Sequence, residues 1–208
     1  MVLIEQVASF ITAVAQNHPL RVAIDGIDAA GKTTLADALV TPISRSGRRV
    51  IRASVDGFHQ PRARRYARGE LSPEGYYYDS FDYDAVKELL LRPLGPNGNR
   101  LYRTQIFDYQ NNQSIPAQPQ VASSNAILLF DGVFLLRPEL VDFWDVTIFV
   151  QIAPETAVAR AIQRDSAAMG GVVQTIERYT RRYLPGQQLY LTACQPDNRM
   201  MIRRSRSW

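Results

Sequence analysis

One segment near the start of the chain, Gly26–Thr33, constrains the fold more than any other feature of the sequence. It consists of a glycine, four further residues, a second glycine, a lysine and a threonine, and it lies between an apolar run and an amphipathic run. The apolar run Leu20–Asp25 has the length of a buried strand, and Lys32–Val40 has helical periodicity. Glycines let such a loop curl until its backbone N–H groups point inward, beside the positive end of the helix dipole. The pattern therefore predicts a phosphate-binding loop over residues 26–34 in a strand–loop–helix unit.

The rest of the chain alternates between strand patterns and helix patterns. Further strands are predicted at Arg49–Val55, Ala126–Phe130 and Val146–Ile152. The last two are near-continuous apolar runs, which parallel sheets bury on both faces. Helices are predicted before, between and after the strands, at Leu3–Val14, Tyr83–Leu91, Pro138–Phe143 and Pro154–Arg164. This alternation predicts an α/β fold in which helices flank a doubly wound, mostly parallel sheet.

The length of 208 residues suits one domain with a well-buried core. We therefore predict a single domain over residues 1–208. Two stretches, Gly57–Ser80 and Pro93–Ser124, interrupt the alternation and are rich in Pro, Gly, Asn, Gln and Tyr. Long insertions in a compact domain are usually functional. Residues 57–124 are therefore predicted to carry the site for an acceptor substrate.

The phosphate loop predicts roles for its own side chains. Lys32 is expected to place a positive charge between the β- and γ-phosphates of a nucleotide, and the Thr33 hydroxyl to bind Mg²⁺. Asp131, which ends an apolar strand, is the second residue predicted to hold Mg²⁺. An Asp-Gly turn would also explain an aspartate at this position. The loop residues predicted to bind ATP are Gly26, Asp28, Ala29, Ala30, Gly31, Lys32, Thr33 and Thr34.

The residue that follows Asp131 separates classes of nucleotide-binding protein. An ATP hydrolase usually has a carboxylate just beyond this position to activate water, and Gly132 stands there instead. A GTPase needs an Asn-Lys-x-Asp element to bind guanine, and neither Lys32 nor Lys87 lies in such a context. The reaction class that remains is transfer of the γ-phosphoryl group to an organic acceptor.

An acceptor hydroxyl needs a base that takes its proton. Asp56 is the predicted base, because it ends the second predicted strand and the carboxyl ends of strands face the ligand crevice in doubly wound folds. The alternative is that Asp56 and Gly57 only form a turn. His59 is expected to orient the substrate.

The net charge of +4 comes almost wholly from arginine, since the chain has only two lysines. Clustered arginines suit a polyphosphate, although a solvated basic surface is the simpler explanation. Nucleic-acid binding is not favoured, because no recognised module accompanies the charge.

Two further features bear on the compartment. The sequence contains no run of about 18 apolar residues, so no membrane span is predicted. No basic flank precedes the apolar residues at the N-terminus, so no secretory signal is predicted. A single cysteine, Cys194, suits a reducing compartment. The chain is therefore expected to be cytoplasmic, without membrane partners.

The order of these motifs resembles that of the uridine kinase family, with its pantothenate kinase and phosphoribulokinase relatives, across nearly the whole chain. Asp56–His59 is similar to the family's Asp-Ser-Phe-Tyr segment, whose aspartate is the catalytic base. Tyr78–Asp82 resembles the segment that follows, which implies that Asp79 holds ribose hydroxyls. Ile106–Tyr109 is similar to the family's Val-Tyr-Asp-Phe segment beside the nucleobase, which implies that Phe107, in the place of the tyrosine that flanks the pyrimidine, contacts the substrate. Phe130–Gly132 resembles the family's Phe-Glu-Gly.

The same resemblance extends into the last quarter of the chain. Glu155–Asp165 resembles the helix that leads into the ATP lid, which implies that Arg164 contacts ATP and that residues 165–185 form a lid. Two family positions differ, since a histidine is replaced by Asn112 and an arginine by Ala161. The segment Ser166–Gly171 lacks the arginines of the family's lid, so Arg178 is expected to reach the substrate from the next helix.

Two functions stay open on this basis. The first is an ATP- and Mg²⁺-dependent kinase of a nucleoside, or of another small alcohol such as pantothenate, glycerate or a sugar. The second is a nucleotide-binding regulator whose arginines contact a partner. A catalytic base and a residue that holds two hydroxyls of the substrate are needed only by a kinase, so Asp56 and Asp79 distinguish the two functions. Either protein is compatible with a homo-oligomer.

Overall fold

The computed structural model of the protein describes residues 2–196. Its strands are Leu20–Gly26 (β1), Val50–Ser54 (β2), Leu101–Tyr102 (β3), Phe107–Asp108 (β4), Gln113–Ser114 (β5), Gln120–Val121 (β6), Ile127–Asp131 (β7) and Val146–Val150 (β8). Four strands form a parallel sheet in the order β2-β7-β1-β8. The others form two antiparallel pairs, β3 with β6 and β4 with β5. The predicted parallel sheet is confirmed.

The α-helices of the described residues are Val2–Ala13 (α1), Lys32–Arg45 (α2), Arg62–Arg65 (α3), Pro73–Asp79 (α4), Tyr83–Val86 (α5), Pro154–Met169 (α6), Val172–Arg178 (α7) and Leu184–Cys194 (α8). A π-helical turn follows α5 at Lys87–Leu91 and another follows α7 at Tyr179–Tyr183. Short 3₁₀ turns lie at Val55–Phe58 and Val141–Phe143. None of the helices in residues 2–196 combines the length and the apolar character needed to cross a bilayer.

Strand β1 is buried along its whole length, because it lies between β7 and β8 and is covered on both faces. Successive side chains of a strand point to opposite faces. Val22 packs on one face with Ile11 of α1 and Leu39 of α2, whereas Ala23 packs on the other with Phe130. This burial on both faces explains why β1 and β7 are near-continuous apolar runs. It also anchors the phosphate loop to an interior strand that is buried along its whole length.

Two predicted helices differ from the structure. Pro138–Phe143 forms only the 3₁₀ turn Val141–Phe143, because so short a segment gains too few hydrogen bonds to offset helix nucleation. Helix α6 instead extends beyond Arg164 to Met169, where Gly170 ends it in a left-handed conformation with φ 89°. Most of the segment predicted to begin the lid is therefore helical.

The two insertions within residues 57–124 meet at the end of β2. The Ile106 N–H donates to the Gly57 carbonyl over 2.8 Å, and the Arg62 N–H donates to Asn112 Oδ1 over 2.7 Å. These bonds join the segment after β2 to the β4–β5 hairpin. The insertions therefore form one layer above the carboxyl end of β2. Met1 and residues 197–208, which the predicted domain includes, lie outside the described residues.

Candidate active site

The carboxyl ends of β1, β2 and β7 open into a cleft of about 810 Å³, within the usual size range of small-molecule sites. Its walls come from the phosphate loop, the segment after β2, helix α3, the β4–β5 hairpin and the α6–α7 region. The predicted site residues that line it are Asp28, Ala29, Gly31, Lys32, Thr33, Thr34, Asp56, His59, Asp131, Arg164 and Arg178. Gly26 lies beneath the loop as the last residue of β1, and Ala30 is buried against α6.

The phosphate loop has a curled backbone. Ala29 and Gly31 have left-handed conformations, with φ of 56° and 94°, and Gly31 precedes the first turn of α2 without a capping side chain. The first N–H groups of a helix have no partners within the helix. The residues at this helix start, Gly31–Thr34, line the cleft, so an anion bound there can accept these hydrogen bonds.

Lys32 lies folded over this loop. Its Nζ donates a 2.7 Å hydrogen bond to the Ile27 carbonyl, and the side chain is almost fully buried. Burial lowers the pKa of Lys32, and the nearby carboxylates of Asp28 and Asp25 oppose that effect. A phosphate group would supply a further negative charge to this ammonium group.

The two predicted metal residues are in contact. Thr33 Oγ1 donates a 2.7 Å hydrogen bond to Asp131 Oδ2, because parallel pairing of β1 with β7 brings the start of α2 beside the end of β7. Asp131 also receives a 2.9 Å hydrogen bond from Nη2 of Arg52, whose Nε donates to Asp37 Oδ1 over 3.0 Å. The sequence offered no sign of this role for Arg52, which lies on β2 rather than in the loop.

Asp56 and His59 face each other at the end of β2. The distance from His59 Nε2 to Asp56 Oδ1 is 3.5 Å, and 58% of the Asp56 side chain is exposed to the cleft. Desolvation would raise the pKa of Asp56, but His59 and the positive charges of Lys32 and Arg164 hold it below its usual value. Asp56 is therefore a carboxylate, able to accept a proton, at neutral pH.

An aromatic wall holds His59 in place. The imidazole stacks on Phe81 at a centroid distance of 4.5 Å and meets the Tyr109 ring at 4.8 Å. Its Nδ1 lies 3.1 Å from the Ser80 carbonyl oxygen. These contacts fix the direction of Nε2, which is the nitrogen that faces Asp56.

Side chains from distant helices hold the phosphate loop from behind. Asp28 Oδ2 accepts hydrogen bonds from the Tyr76 hydroxyl and from Nε2 of Gln187, each of 2.6 Å. Desolvation raises the pKa of Asp28, although Lys32 and Tyr76 oppose that shift. Arg160 of α6 lies 3.3 Å from the carbonyl oxygens of two loop residues. Sequence analysis identified none of these three supporting residues, because they lie on helices whose approach to the loop depends on the whole fold.

A second buried carboxylate lies under the loop. Asp25, which is fully buried in β1, accepts hydrogen bonds from the Gly26 N–H and from the Tyr190 hydroxyl of α8. Burial raises the pKa of Asp25 to about 6, against the opposing effect of these donors. Helix α8 therefore contributes to the support of the loop through Tyr190.

Two arginines of the cleft wall have carboxylate partners, one just before the region predicted as a lid, residues 165–185, and one within it. Arg164 pairs with Asp165, its nearest hydrogen bond being 2.6 Å long, and Arg178 pairs with Glu70 of the first insertion. The second pair connects this region to residues 57–124.

The structure does not bring two of the predicted substrate residues to the cleft wall. Asp79 accepts a 2.7 Å hydrogen bond from Nε of Arg68, and it does not line the cleft. Phe107 is buried, while Tyr109 and Asn112 of the same hairpin line the cleft instead. Within the described residues, the geometry therefore places neither Asp79 nor Phe107 where the resemblance implies.

Residues 22–207 match the model of the phosphoribulokinase / uridine kinase family. The chain belongs to this family. The predicted resemblance is thereby confirmed.

Two curated relatives and one solved structure illustrate the match. Uridine-cytidine kinase A of Dictyostelium discoideum is 26% identical over 163 residues, which are 76% of this chain and 30% of that protein. Uridine kinase of Leuconostoc citreum (strain KM20) is 26% identical over 169 residues, 80% of this chain and 79% of the relative. A solved structure described as a possible uridine kinase from Bacillus stearothermophilus superposes with a TM-score of 0.75 at 23% identity, covering 96% of this chain and 97% of that one.

The comparisons with relatives and with solved structures support different conclusions. The chain spans about a third of the length of the first curated relatives that it matches. The structural likeness supports the fold that this member of the phosphoribulokinase / uridine kinase family adopts. Neither comparison identifies the acceptor.

Proposed function

We propose that the protein is an ATP-dependent kinase that transfers the γ-phosphoryl group to a hydroxyl of a small molecule. The observation that carries this proposal is the meeting of three parts in one cleft. These are a phosphate loop with Lys32, the oxygen pair Thr33 and Asp131, and an ionised carboxylate at Asp56.

The nucleotide half of the reaction depends on the loop. Its inward N–H groups and the N-terminus of α2 suit the β-phosphate, and Lys32 suits the charge shared with the γ-phosphate. Such positioning and charge stabilisation supply most of the catalysis in phosphoryl transfer, because the protein forms no covalent bond with the group.

The donor set beside the loop fits Mg²⁺. This ion is usually held by one or two carboxylates or hydroxyls together with substrate phosphates and water, so a cage of protein ligands is not required. Thr33 Oγ1 and Asp131 would hold it, and residues 2–196 contain no larger group of His, Cys, Asp and Glu side chains that could hold a metal. The ion, when bound, would neutralise charge on the β- and γ-phosphates.

The acceptor half depends on Asp56. An ionised carboxylate within reach of an acceptor hydroxyl takes its proton while the oxygen attacks phosphorus. His59 is the partner that keeps this carboxylate ionised and directed into the cleft.

Hydrolysis is a poorer account of the site. A Cβ atom on Gly132 would lie 2.5 Å from Cγ1 of Val55, so a water-activating carboxylate has no room at this position without a shift of Val55, the residue that follows β2. A nucleotide-binding regulator would give no role to the ionised carboxylate at Asp56. Both alternatives are therefore less well supported than transfer to an alcohol.

The acceptor class is a separate part of the proposal. The names of the relatives point to nucleosides, and the aromatic wall of His59, Phe81 and Tyr109 offers a face on which a planar base can stack. Pantothenate, glycerate and sugars are the other acceptors to be tested.

Transfer of label tests the proposal directly. The protein is incubated with Mg²⁺, ATP labelled at the γ-phosphate, and each acceptor in turn, and the labelled products are separated. Label in an acceptor supports the kinase. Label that appears only as inorganic phosphate would show a hydrolase, and nucleotide binding without any turnover would favour a regulator. A thermal-shift screen chooses the acceptors, since a ligand at 100 times its dissociation constant adds about 2.7 kcal/mol of stability.

A further inference from the structure

A buried arginine that has no counterion among residues 2–196 lines the acceptor side of the cleft. Arg65 of α3 is 9% exposed, and its Nε has no hydrogen-bond partner among the described residues. Its Nη2 makes only a long contact of 3.4 Å with the Tyr109 carbonyl. None of the ion pairs found within residues 2–196 includes Arg65. A buried charge is costly unless it is paired, so this guanidinium lacks a negative partner that a ligand can supply.

A second cleft arginine is available beside it. Arg62 lies one turn earlier on the same helix, lines the cleft and, within the described part of the chain, also has no carboxylate partner. The guanidinium carbons of Arg62 and Arg65 lie 5.7 and 5.6 Å from the centre of the Tyr66 ring. Both guanidinium groups therefore contact the same aromatic ring, on which Arg182 also lies at 4.8 Å.

The other arginines of the cleft are already satisfied. Arg164 pairs with Asp165, and Arg178 pairs with Glu70. Arg182 is buried and donates to backbone carbonyls alone, those of residues 65, 69, 70 and 72. Among the arginines that line the cleft, Arg62, Arg65 and Arg182 therefore have no carboxylate partner in the described residues, and because backbone carbonyls take the hydrogen bonds of Arg182, the donors of Arg62 and Arg65 are left for a ligand.

The backbone that carries these two side chains is held firmly. The guanidinium group of Arg182 donates to the Arg65 carbonyl over 3.2 Å, and Asn112 accepts the Arg62 N–H over 2.7 Å. A site built on fixed backbone loses little conformational entropy when it binds a ligand. The arrangement is therefore suited to binding rather than to covering a surface.

We propose that the acceptor carries an anionic group, a carboxylate or a phosphate, and that Arg65 binds it with help from Arg62. The inference rests on the proposed function, because it gives the substrate class of the same cleft. Guanidinium groups bind both anions bidentately, so the shared chemistry is a planar or tetrahedral oxyanion on a molecule that also carries the reacting hydroxyl.

The first experiment measures anion binding without any turnover. The protein is saturated with ADP and Mg²⁺, which occupy the phosphate loop, and inorganic phosphate is titrated by calorimetry. Wild type is expected to bind phosphate, and Arg65→Gln to raise its dissociation constant about tenfold to a hundredfold, the usual effect of one charge-assisted contact. Arg64→Gln is the matched control, because Arg64 is exposed on the same helix and does not line the cleft.

Equal phosphate binding by Arg65→Gln and Arg64→Gln would overturn the proposal. Loss of phosphate binding on saturation with ADP and Mg²⁺ would also overturn the proposal, since phosphate would then bind in the nucleotide-binding site. Arg65→Lys keeps the positive charge but not the paired N–H donors of the guanidinium group, so it is expected to bind phosphate with an intermediate dissociation constant. This variant replaces Arg65→Gln in the experiment if Arg65→Gln fails to fold.

The second experiment compares matched acceptors. Glycerate is set against glycerol, and pantothenate against the corresponding alcohol, in the labelled transfer assay. The anionic member of a pair is expected to have the higher kcat/KM by about tenfold or more, and Arg65→Gln to reduce that preference while leaving the KM for ATP within a few-fold. Transfer only to neutral acceptors would overturn the proposed anion site but not the proposed kinase activity. Absence of transfer together with unchanged phosphate binding would refute the kinase activity alone.

Discussion

Thr33 Oγ1 donates a 2.7 Å hydrogen bond to Asp131 Oδ2, although the two residues are 98 positions apart in the chain. The bond joins the first turn of α2 to the end of β7. It brings one hydroxyl and one carboxylate to the place where the phosphates of a bound nucleotide would lie. The first prediction follows from this pair.

Thr33→Ala and Asp131→Asn are each expected to raise the Mg²⁺ concentration needed for half-maximal activity. The first change removes a neutral oxygen ligand and the second removes a charge. Asp37→Asn is the control, because Asp37 also pairs with Arg52 but is exposed. Mg²⁺ titrations that match wild type in both variants would show that the metal binds elsewhere.

Lys32→Ala is expected to reduce kcat/KM by about 100-fold or more, the effect of removing one preorganised donor to developing charge, roughly 3 kcal/mol. Lys87→Ala should leave the rate nearly unchanged, because the other lysine of the chain pairs with Asp84 on the surface of α5. Steady-state kinetics on both variants make the comparison. A Lys32→Ala enzyme with over half the normal rate would remove this residue from the mechanism.

Asp56→Asn is expected to separate binding from chemistry. Asparagine keeps the size and much of the hydrogen bonding of aspartate, but it cannot take the acceptor's proton. The turnover number should fall about 100-fold to 10,000-fold, while the KM values for ATP and acceptor change only a few-fold. If Asp56 only stabilises the turn after β2, turnover should stay near normal and stability should fall by about 1 kcal/mol at most. Turnover and melting temperature are measured on the same preparation.

The acid limb of the pH–rate profile is expected to move in His59→Phe. The positive surroundings of Asp56 hold its pKa below the usual value, so wild type keeps its base ionised as the pH falls. Phenylalanine preserves the stacking on Phe81 but removes the hydrogen bond and the favourable electrostatic interaction with Asp56, so the pKa of Asp56 should rise. The fall of kcat/KM in acid should therefore begin at a higher pH, measured with a neutral acceptor. An unchanged limb would show that His59 does not tune Asp56.

Tyr190→Phe is expected to destabilise the protein more at pH 8 than at pH 5. Asp25 has a pKa of about 6 in the folded protein, above its ordinary value of 3.8, so its contribution to stability falls as the pH rises through that interval. Tyr190 donates to the ionised form and offsets part of this loss. Its removal should cost about 1–3 kcal/mol at pH 8 and less at pH 5, where Asp25 is mostly protonated. Urea unfolding at both pH values provides the measurement.

Tyr102→Phe is the control for that experiment. The Tyr102 hydroxyl bonds Gln120 between β3 and β6, away from any carboxylate of the loop. Its loss should cost a similar amount of stability at pH 5 and pH 8. A Tyr190→Phe penalty that is equally independent of pH would contradict the role of Asp25.

Local patterns in the sequence were enough to predict the elements whose causes are local. The apolar runs of β1 and β7, the helical spacing of α2 and the glycines of the phosphate loop each reflect one segment's own geometry. Thr33 and Asp131 were each predicted to bind Mg²⁺, and they come into contact because parallel strands in this fold end at the same edge. Of the predicted helices, Pro138–Phe143 was wrong and Pro154–Arg164 was too short.

Contacts between distant elements depended on the tertiary structure alone. Spacing along the chain could not show that Arg52 would bond Asp131, that Tyr76 would hold Asp28, or that Arg68 would engage Asp79. These partners are chosen by how helices and insertions pack over the sheet, and packing is decided by the burial of the whole core rather than by any one motif. The sequence by itself therefore determined the parallel sheet and the nucleotide loop. Tertiary packing decided which charges find partners, and within residues 2–196 it left Arg65 without a carboxylate, because a side chain's counterion depends on every element that surrounds it.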